Sequence, residues 1–447
     1  MTFSPIDEVA LAGGQGTVYE HGWQSWSPTG TYPCRASSPR PATDWQQRMR
    51  FRPGHPPPPG GFQGEGLLVV DPGHGGPVLR YAADGHADAV PSIRAELVGD
   101  RLIVTSDGPV TVTVGPDGAA GAAGIGTALA DFGVQYAADR GAGTPRRPPT
   151  AWCSWYHYFL DVTAADVVEN LDAIARHDLP VDVVQVDDGW SAGPGDWLAT
   201  NERFGSLPDL ADLAGRIRDA GRRPGIWVAP FLAGGSSDLA RRHPDWLVGD
   251  AGWNWDQPLH GLDLTHPGVR DHLAAVFGSL RRAGFDYVKL DFLYAGALPG
   301  RRHEDVDPLT AYRSGLALVR EALGADTYLV GCGAPLLPSV GLVDAMRVGA
   351  DTYNPSDEDE DGTRALRGAA GVRARAWQHG RFWVNDPDCL IARPTFPRRA
   401  EWARVVARYG GLRSVSDRIA DLDGWGLATT RTLLGTVPPP TPFPVEH

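Results

Sequence analysis

AWCSWYHYF, residues 151–159, decides the fold. Ala151 to Tyr156 reads as a buried strand and runs straight into His157, Tyr158 and Phe159. A doubly wound sheet would place a glycine-rich phosphate turn after its first strand, and these ring-bearing side chains are nothing a phosphate would favour. Working outward, further apolar runs follow at Val183–Asp187, Gly225–Ala229, Asp286–Asp291, Tyr328–Cys332, Ala345–Gly349 and Arg381–Asn385, with an eighth at Leu412–Ser416. Helical patterns separate most of them. Thr163 to His177 sets Val167, Leu171 and Ile174 on one face, with Thr163 and Asp166 as an N-terminal capping pair. Pro208–Ala220, Pro267–Ala283 and Pro308–Leu323 each begin with proline at a first helical position, and Glu401–Tyr409 gives another helix. Alternating strands and helices over 151–435 predict a (β/α)8 TIM barrel.

Before the barrel, short runs at Leu67–Val70, Val78–Tyr81, Leu102–Thr105 and Val110–Val114 are bounded by Gly, Pro and Asp. They predict an N-terminal β-sandwich-type domain over 1–140. The loose glycines at Gly118–Gly126 miss the spacing of a dinucleotide-binding turn. GAGTPRRPPT (141–150) reads as an unburied linker, and 436–447 as a proline-rich, extended or disordered tail.

At 447 residues the chain is long enough for two or three domains, and its net charge of −13 lacks the basic footprint of a nucleic-acid binder. No apolar run approaches the roughly 20 residues of a membrane helix, and the N-terminus shows no secretory pattern. Cys34, Cys153, Cys332 and Cys389 have neither disulfide-framework nor zinc spacing. A cytoplasmic protein with no metal and no cofactor is expected, its partner a small molecule.

Two oddities point to chemistry. Tryptophan, at 15, outnumbers tyrosine and phenylalanine, which suits both a core and a sugar-binding surface. Lys289 is the only lysine among 41 basic residues. An ammonium is a compact point donor that a guanidinium does not replace where space is tight, so Lys289 is a candidate functional residue. The strand ends are also rich in carboxylates: Asp187 and Asp188 after the second strand, Asp291 after the fourth, Asp351 after the sixth. Lys289 and Asp291 are two apart on a strand and point the same way, into the barrel mouth. Two carboxylates from different strands, without metal ligands, are the equipment of glycoside hydrolysis, one as nucleophile and one as proton donor. Lys289 is placed to keep Asp291 ionised, and Asp351 would need a raised pKa to hold its proton.

HGWQSWSP (21–28), AWCSWYHYF (151–159), QVDDGW (185–190), GIWVAPF (225–231), YVKLDFLYAG (287–296), VGCGAPLLPSVG (330–341), MRVGADT (346–352) and FWVNDPDCL (382–390) resemble, in this order, the α-galactosidases of glycoside hydrolase clan D, family 36. The resemblance implies a retaining α-galactosidase acting on terminal α-galactose of melibiose- and raffinose-type oligosaccharides, an α-galactoside being the small-molecule partner. It implies Asp291 as nucleophile and Asp351 as acid/base, with Asp187 and Asp188 on the galactose O4 and O6. Lys289, Arg347 and Cys332 match positions that hold ring hydroxyls. Trp155, Tyr156 and Trp227 match pocket walls, and Trp26 a tryptophan lent across the mouth. Against the family, the stretch before GWQSW is short and no second β-domain is expected after the barrel. Three other readings share the motifs: an α-N-acetylgalactosaminidase, a galactosyl-transferring relative of raffinose synthases, and a non-catalytic galactoside-binding protein.

Overall fold

Nine strands precede the barrel in the computed structural model, which describes residues 2–443 except 12, 14, 41–47, 74, 87, 117–119, 353–365 and 367. They are β1 (Ser4–Ala10), β2 (Thr17–Glu20), β3 (Gly30–Pro33), β4 (Phe62–Glu65), β5 (Leu67–Asp71), β6 (Leu79–Ala82), β7 (Ser92–Val98), β8 (Arg101–Ser106) and β9 (Thr111–Val114). Two antiparallel sheets, ordered β1-β8-β7-β4 and β3-β2-β5-β6-β9, enclose a core that includes Val18, Phe62, Leu68, Val70, Ile93 and Val104. All four strands expected here are present. The helix Gly121–Asp139 was not expected. No side chain of its own caps it; instead Asp71 at the end of β5 accepts the Gly121 N–H at 2.8 Å. Its buried Ile125, Leu129, Phe132 and Tyr136 carry the helical period that a glycine- and alanine-rich segment disguises.

The barrel strands are β10 (Thr150–Cys153), β11 (Val183–Val186), β12 (Arg223–Val228), β16 (Tyr287–Leu290), β17 (Tyr328–Gly331), β18 (Ala345–Arg347), β19 (Val384–Asp386) and β20 (Arg413–Val415). All pair parallel in the order β19-β18-β17-β16-β12-β11-β10-β20, and a parallel bridge from Leu390 to Val415 helps close the cylinder. Strands run shorter than the sequence suggests. The first ends at Cys153 because the chain turns at once into the helix Trp155–Tyr158, where Ser416 Oγ accepts the Tyr156 N–H at 2.8 Å. Thr163 and Asp166 form the expected capping box, and Ser206 with Asp209 forms a second at the helix Leu207–Asp219. The helices Pro267–Ala283 and Pro308–Leu323 occupy their expected spans.

Two connections depart from expectation. The 141–150 stretch is not free of burial: Pro148, Pro149 and Thr150 are buried, and Arg146 grips Asp344 with two bonds of 2.7 Å. Between β12 and β16 the chain inserts a three-stranded antiparallel sheet, β13 (Leu232–Gly234), β14 (Leu247–Asn254) and β15 (Gln257–Leu262). The tail has no helix or strand among its described residues, and Phe443 stacks on His379 at 4.0 Å.

Side chains alternate along each strand, so residues two apart share a face. The lower inward layer is apolar: Ala151, Val183, Tyr287, Val330, Ala345, Val384 and Leu412 form one cluster with Tyr328. Two residues further along the same strands stand Cys153, Gln185, Lys289, Cys332, Arg347, Asp386 and Ser414. The barrel interior changes from hydrocarbon to polar within one step, at its C-terminal end.

Candidate active site

Asp187 lies just beyond β11 and is almost wholly buried. Its Oδ2 accepts from Lys289 Nζ at 3.0 Å, Gln185 Nε2 at 2.6 Å and the Cys153 thiol at 3.3 Å. Its Oδ1 accepts the Asp188 N–H at 3.0 Å. Lys289 is therefore the ion partner of Asp187 rather than of Asp291 as expected; burial pulls its pKa down, but the combined attraction of its neighbours, led by Asp187 and including Asp291, holds the ammonium well above its ordinary pKa. Replacing Lys289 by Arg should lower kcat/KM for an α-galactoside at least about tenfold, because a planar fork overfills a space built around one nitrogen. Steady-state rates of the two proteins would show it, and a near-normal rate would mean that the lone lysine is incidental.

Asp291 follows β16 and takes its hydrogen bonds elsewhere. Trp227 Nε1 donates to its Oδ2 at 3.1 Å and the Phe292 N–H to its Oδ1 at 2.7 Å. Phe292 adopts a left-handed backbone (φ 49°) to deliver that N–H. Gly333, at φ 54°, leaves the room: a Cβ there would stand 3.2 Å from Asp291 Oδ1.

Asp351 follows β18. Arg347 Nη1 donates to its Oδ1 at 2.9 Å, yet burial outweighs that cation and pushes the Asp351 carboxyl up to about 6, with Asp388 and Asp291 adding to the rise. Arg347 is itself clamped: its Nη2 donates to Asp388 at 2.6 Å and its Nε to Asp386 at 3.4 Å. Asp388 also accepts from Thr352 N and Oγ1, both at 2.8 Å, and from the Tyr156 hydroxyl. Tyr156, expected as a pocket wall, has no exposed surface; its hydroxyl is committed to Asp388 and Thr352, so it braces the residue next to Asp351 from below. Within their own loop after β19, Asp386 accepts the Asp388 N–H at 2.9 Å and Asp388 the Cys389 N–H at 2.7 Å. Residues 353–365, which follow Thr352, lie outside the described residues.

The remaining expected residues are distributed as follows. Cys332 is buried at the end of β17 among Asp291, Lys289 and Arg347, where burial raises its thiol pKa well above the ordinary value. Trp155 is part-buried and meets Phe159 edge-on at 5.1 Å. Trp26 is part-buried with Arg50 over its ring. Its loop is pinned to the rim by Arg375, fully buried, which donates to the carbonyls of Gln24, Ser25 and Ser27, to Thr29 Oγ1 and to Val348 O. Val348 is three residues before Asp351, so the GWQSW loop sits at the C-terminal mouth of the barrel.

Several site residues carried no mark in the sequence. Gln185 and Cys153 are placed by alternation alone and could have been found by stepping two residues along the strands. Trp255, at the tip of the β14–β15 hairpin, donates through Nε1 to Asp188 Oδ2 at 2.8 Å. Burial pushes the Asp188 carboxyl up to about 7, against the pull of that donor. The tryptophan surplus divides between core and mouth: Trp190, Trp197, Trp227 and Trp255 form a row with ring separations of 6.2, 5.7 and 6.3 Å, its first three members buried and its last at the pocket.

Residues 134–319 match the Melibiase family model. The chain is 32% identical over 167 residues to the bifunctional alpha-galactosidase/sucrose kinase AgaSK of Mediterraneibacter gnavus, a match covering 32% of this chain and 17% of that protein. It is 28% identical over 198 residues to alpha-galactosidase AgaA of Geobacillus stearothermophilus, covering 40% and 26%. These curated relatives are thus matched over only about a quarter of their length or less. Among solved structures, the alpha-galactosidase TtGalA of Thermus thermophilus in complex with p-nitrophenyl alpha-D-galactopyranoside superposes with a TM-score of 0.78 at 27% identity, over 98% of this chain and 92% of that one. By its motifs, its barrel and these matches, the chain is similar to the α-galactosidases, and its residues 134–319 match the Melibiase family model.

Proposed function

We propose that the protein is a retaining α-galactosidase acting on terminal α-galactose of melibiose- and raffinose-type oligosaccharides. One observation carries the reading: two carboxylates at the ends of different barrel strands stand in opposed settings. Asp351 is raised to about 6 and keeps a proton to give, whereas Asp291 accepts an N–H on each oxygen, from Trp227 and from Phe292. The nucleophile Asp291 attacks the anomeric carbon while Asp351 protonates the departing oxygen. Asp351, now a base, then takes a proton from water, which attacks the galactosyl-enzyme ester and releases α-galactose. Asp187 and Asp188 accept from the galactose hydroxyls, and an unfilled buried carboxylate penalises the wrong epimer. Relatives solved with p-nitrophenyl α-galactoside and with stachyose support this substrate class.

The test is turnover of nitrophenyl α-galactoside beside nitrophenyl α-N-acetylgalactosaminide across pH. The galactoside is expected to be the substrate. Because Asp351 must hold its proton while Asp188 must be ionised to accept from the sugar, kcat/KM should follow a bell in pH with limbs near 6 and 7. Preferential turnover of the acetamido sugar, or none of either, would overturn the reading.

A further inference from the structure

Both central residues of the β14–β15 hairpin turn lie in the left-handed region. Asn254 pairs with Gln257 across the turn, and Trp255 (φ 49°) and Asp256 (φ 53°) stand between them. Turns of this kind favour Asn-Gly, because a bulky side chain at positive φ is strained. The strain is held by what surrounds it. The Tyr294 hydroxyl donates to Ala251 O at 2.6 Å, Arg48 pairs with Asp250, and Met49 lies against Gly252. The indole of Trp255 packs 5.0 Å from Phe292, itself left-handed and next to Asp291. Strain of this kind gathers at functional sites.

Two tryptophans, Trp227 and Trp255, thus face one another with centroids 6.3 Å apart and each spends its indole N–H on one pocket carboxylate, Asp291 and Asp188 respectively. Asp188 Oδ1 is taken by the Gly189 N–H at 2.8 Å. Among the described residues, the indole of Trp255 is therefore the side-chain donor that orients Oδ2 of Asp188.

We propose that Trp255 is a positioning residue for sugar selectivity: it holds Asp188 ready to accept from the galactose hydroxyls and ties that carboxylate, through Phe292, to the nucleophile. The inference rests on the α-galactosidase reading and adds to it a residue from the inserted hairpin. It makes the insertion part of the site rather than an ornament on the barrel.

Trp255→Phe keeps an aromatic ring and removes only the donor. Kinetics on nitrophenyl α-galactoside are expected to show kcat/KM lowered about tenfold, mostly through KM, the effect of one charge-assisted hydrogen bond. In an Asp188→Ala background the same substitution should cost less than about twofold, because the acceptor is gone. Calorimetric binding of galactose gives a second readout. Without the donor the Asp188 carboxyl titrates higher, so galactose binding should be lost at a higher pH than in the unaltered protein; Asp187 and Asp291, whose charges also act on Asp188, are unchanged. An unchanged KM, equal costs in both backgrounds, or an unmoved pH midpoint would overturn the proposal while leaving the α-galactosidase reading intact. An unaltered protein that neither turns over nor binds α-galactosides would instead sink that reading itself.

Discussion

Replacing Asp291 with glycine is expected to lower α-galactoside hydrolysis by on the order of 10⁴-fold or more, with the fold intact by circular dichroism. The substitution removes the atom that would bond to the anomeric carbon, and nothing else in the pocket is placed to take its role. Trp227 and Phe292 are donors, and Asp187 is held in place through its Oδ2 by Lys289, Gln185 and Cys153. The space vacated should admit azide. With nitrophenyl galactoside the azide would attack from the face where Asp291 stood, expel nitrophenolate from the other, and yield β-galactosyl azide. Unchanged hydrolysis would remove Asp291 from the mechanism.

Replacing Asp351 with alanine should give a contrasting pattern. Galactosides whose leaving oxygen needs a proton should lose about 10²- to 10⁴-fold, whereas nitrophenyl galactoside, whose leaving group departs as an anion, should still form the galactosyl-enzyme. Azide should then displace Asp291 from that intermediate and give α-galactosyl azide, the opposite anomer. The alkaline fall of rate should vanish with the side chain that causes it. Equal losses on both kinds of substrate would indicate a structural role for Asp351. The two azide products together separate nucleophile from acid/base without reference to any relative.

The barrel was legible because its strands are short apolar runs bounded by carboxylates and glycines, and its helices begin with proline or a capping box. Even the spans Pro267–Ala283 and Pro308–Leu323 follow from those signals. The helix Gly121–Asp139 was not legible because its cap is Asp71, fifty positions away, and its N-terminal half is glycine and alanine. The inserted hairpin was hidden for a related reason. Its turn is Trp255-Asp256, residues that do not announce a left-handed turn, and tertiary contacts impose the backbone. At the site, the residue types were readable but their partners were not. Lys289 and Asp291 do share a strand face, yet the ammonium goes to Asp187, because its reach across the barrel depends on packing that spacing along one strand does not encode. Tyr156 likewise matched a wall and serves as a brace, because the strand ends three residues earlier than its apolar run.

The central claim is that Asp291 and Asp351 flank one sugar and carry out two successive displacements at its anomeric carbon. Proton NMR of the galactose first released from an α-galactoside, recorded before mutarotation, tests it most directly. The α-anomer is predicted as the initial product; β-galactose appearing first would mean a single displacement by water and contradict the assignment of Asp291 as nucleophile.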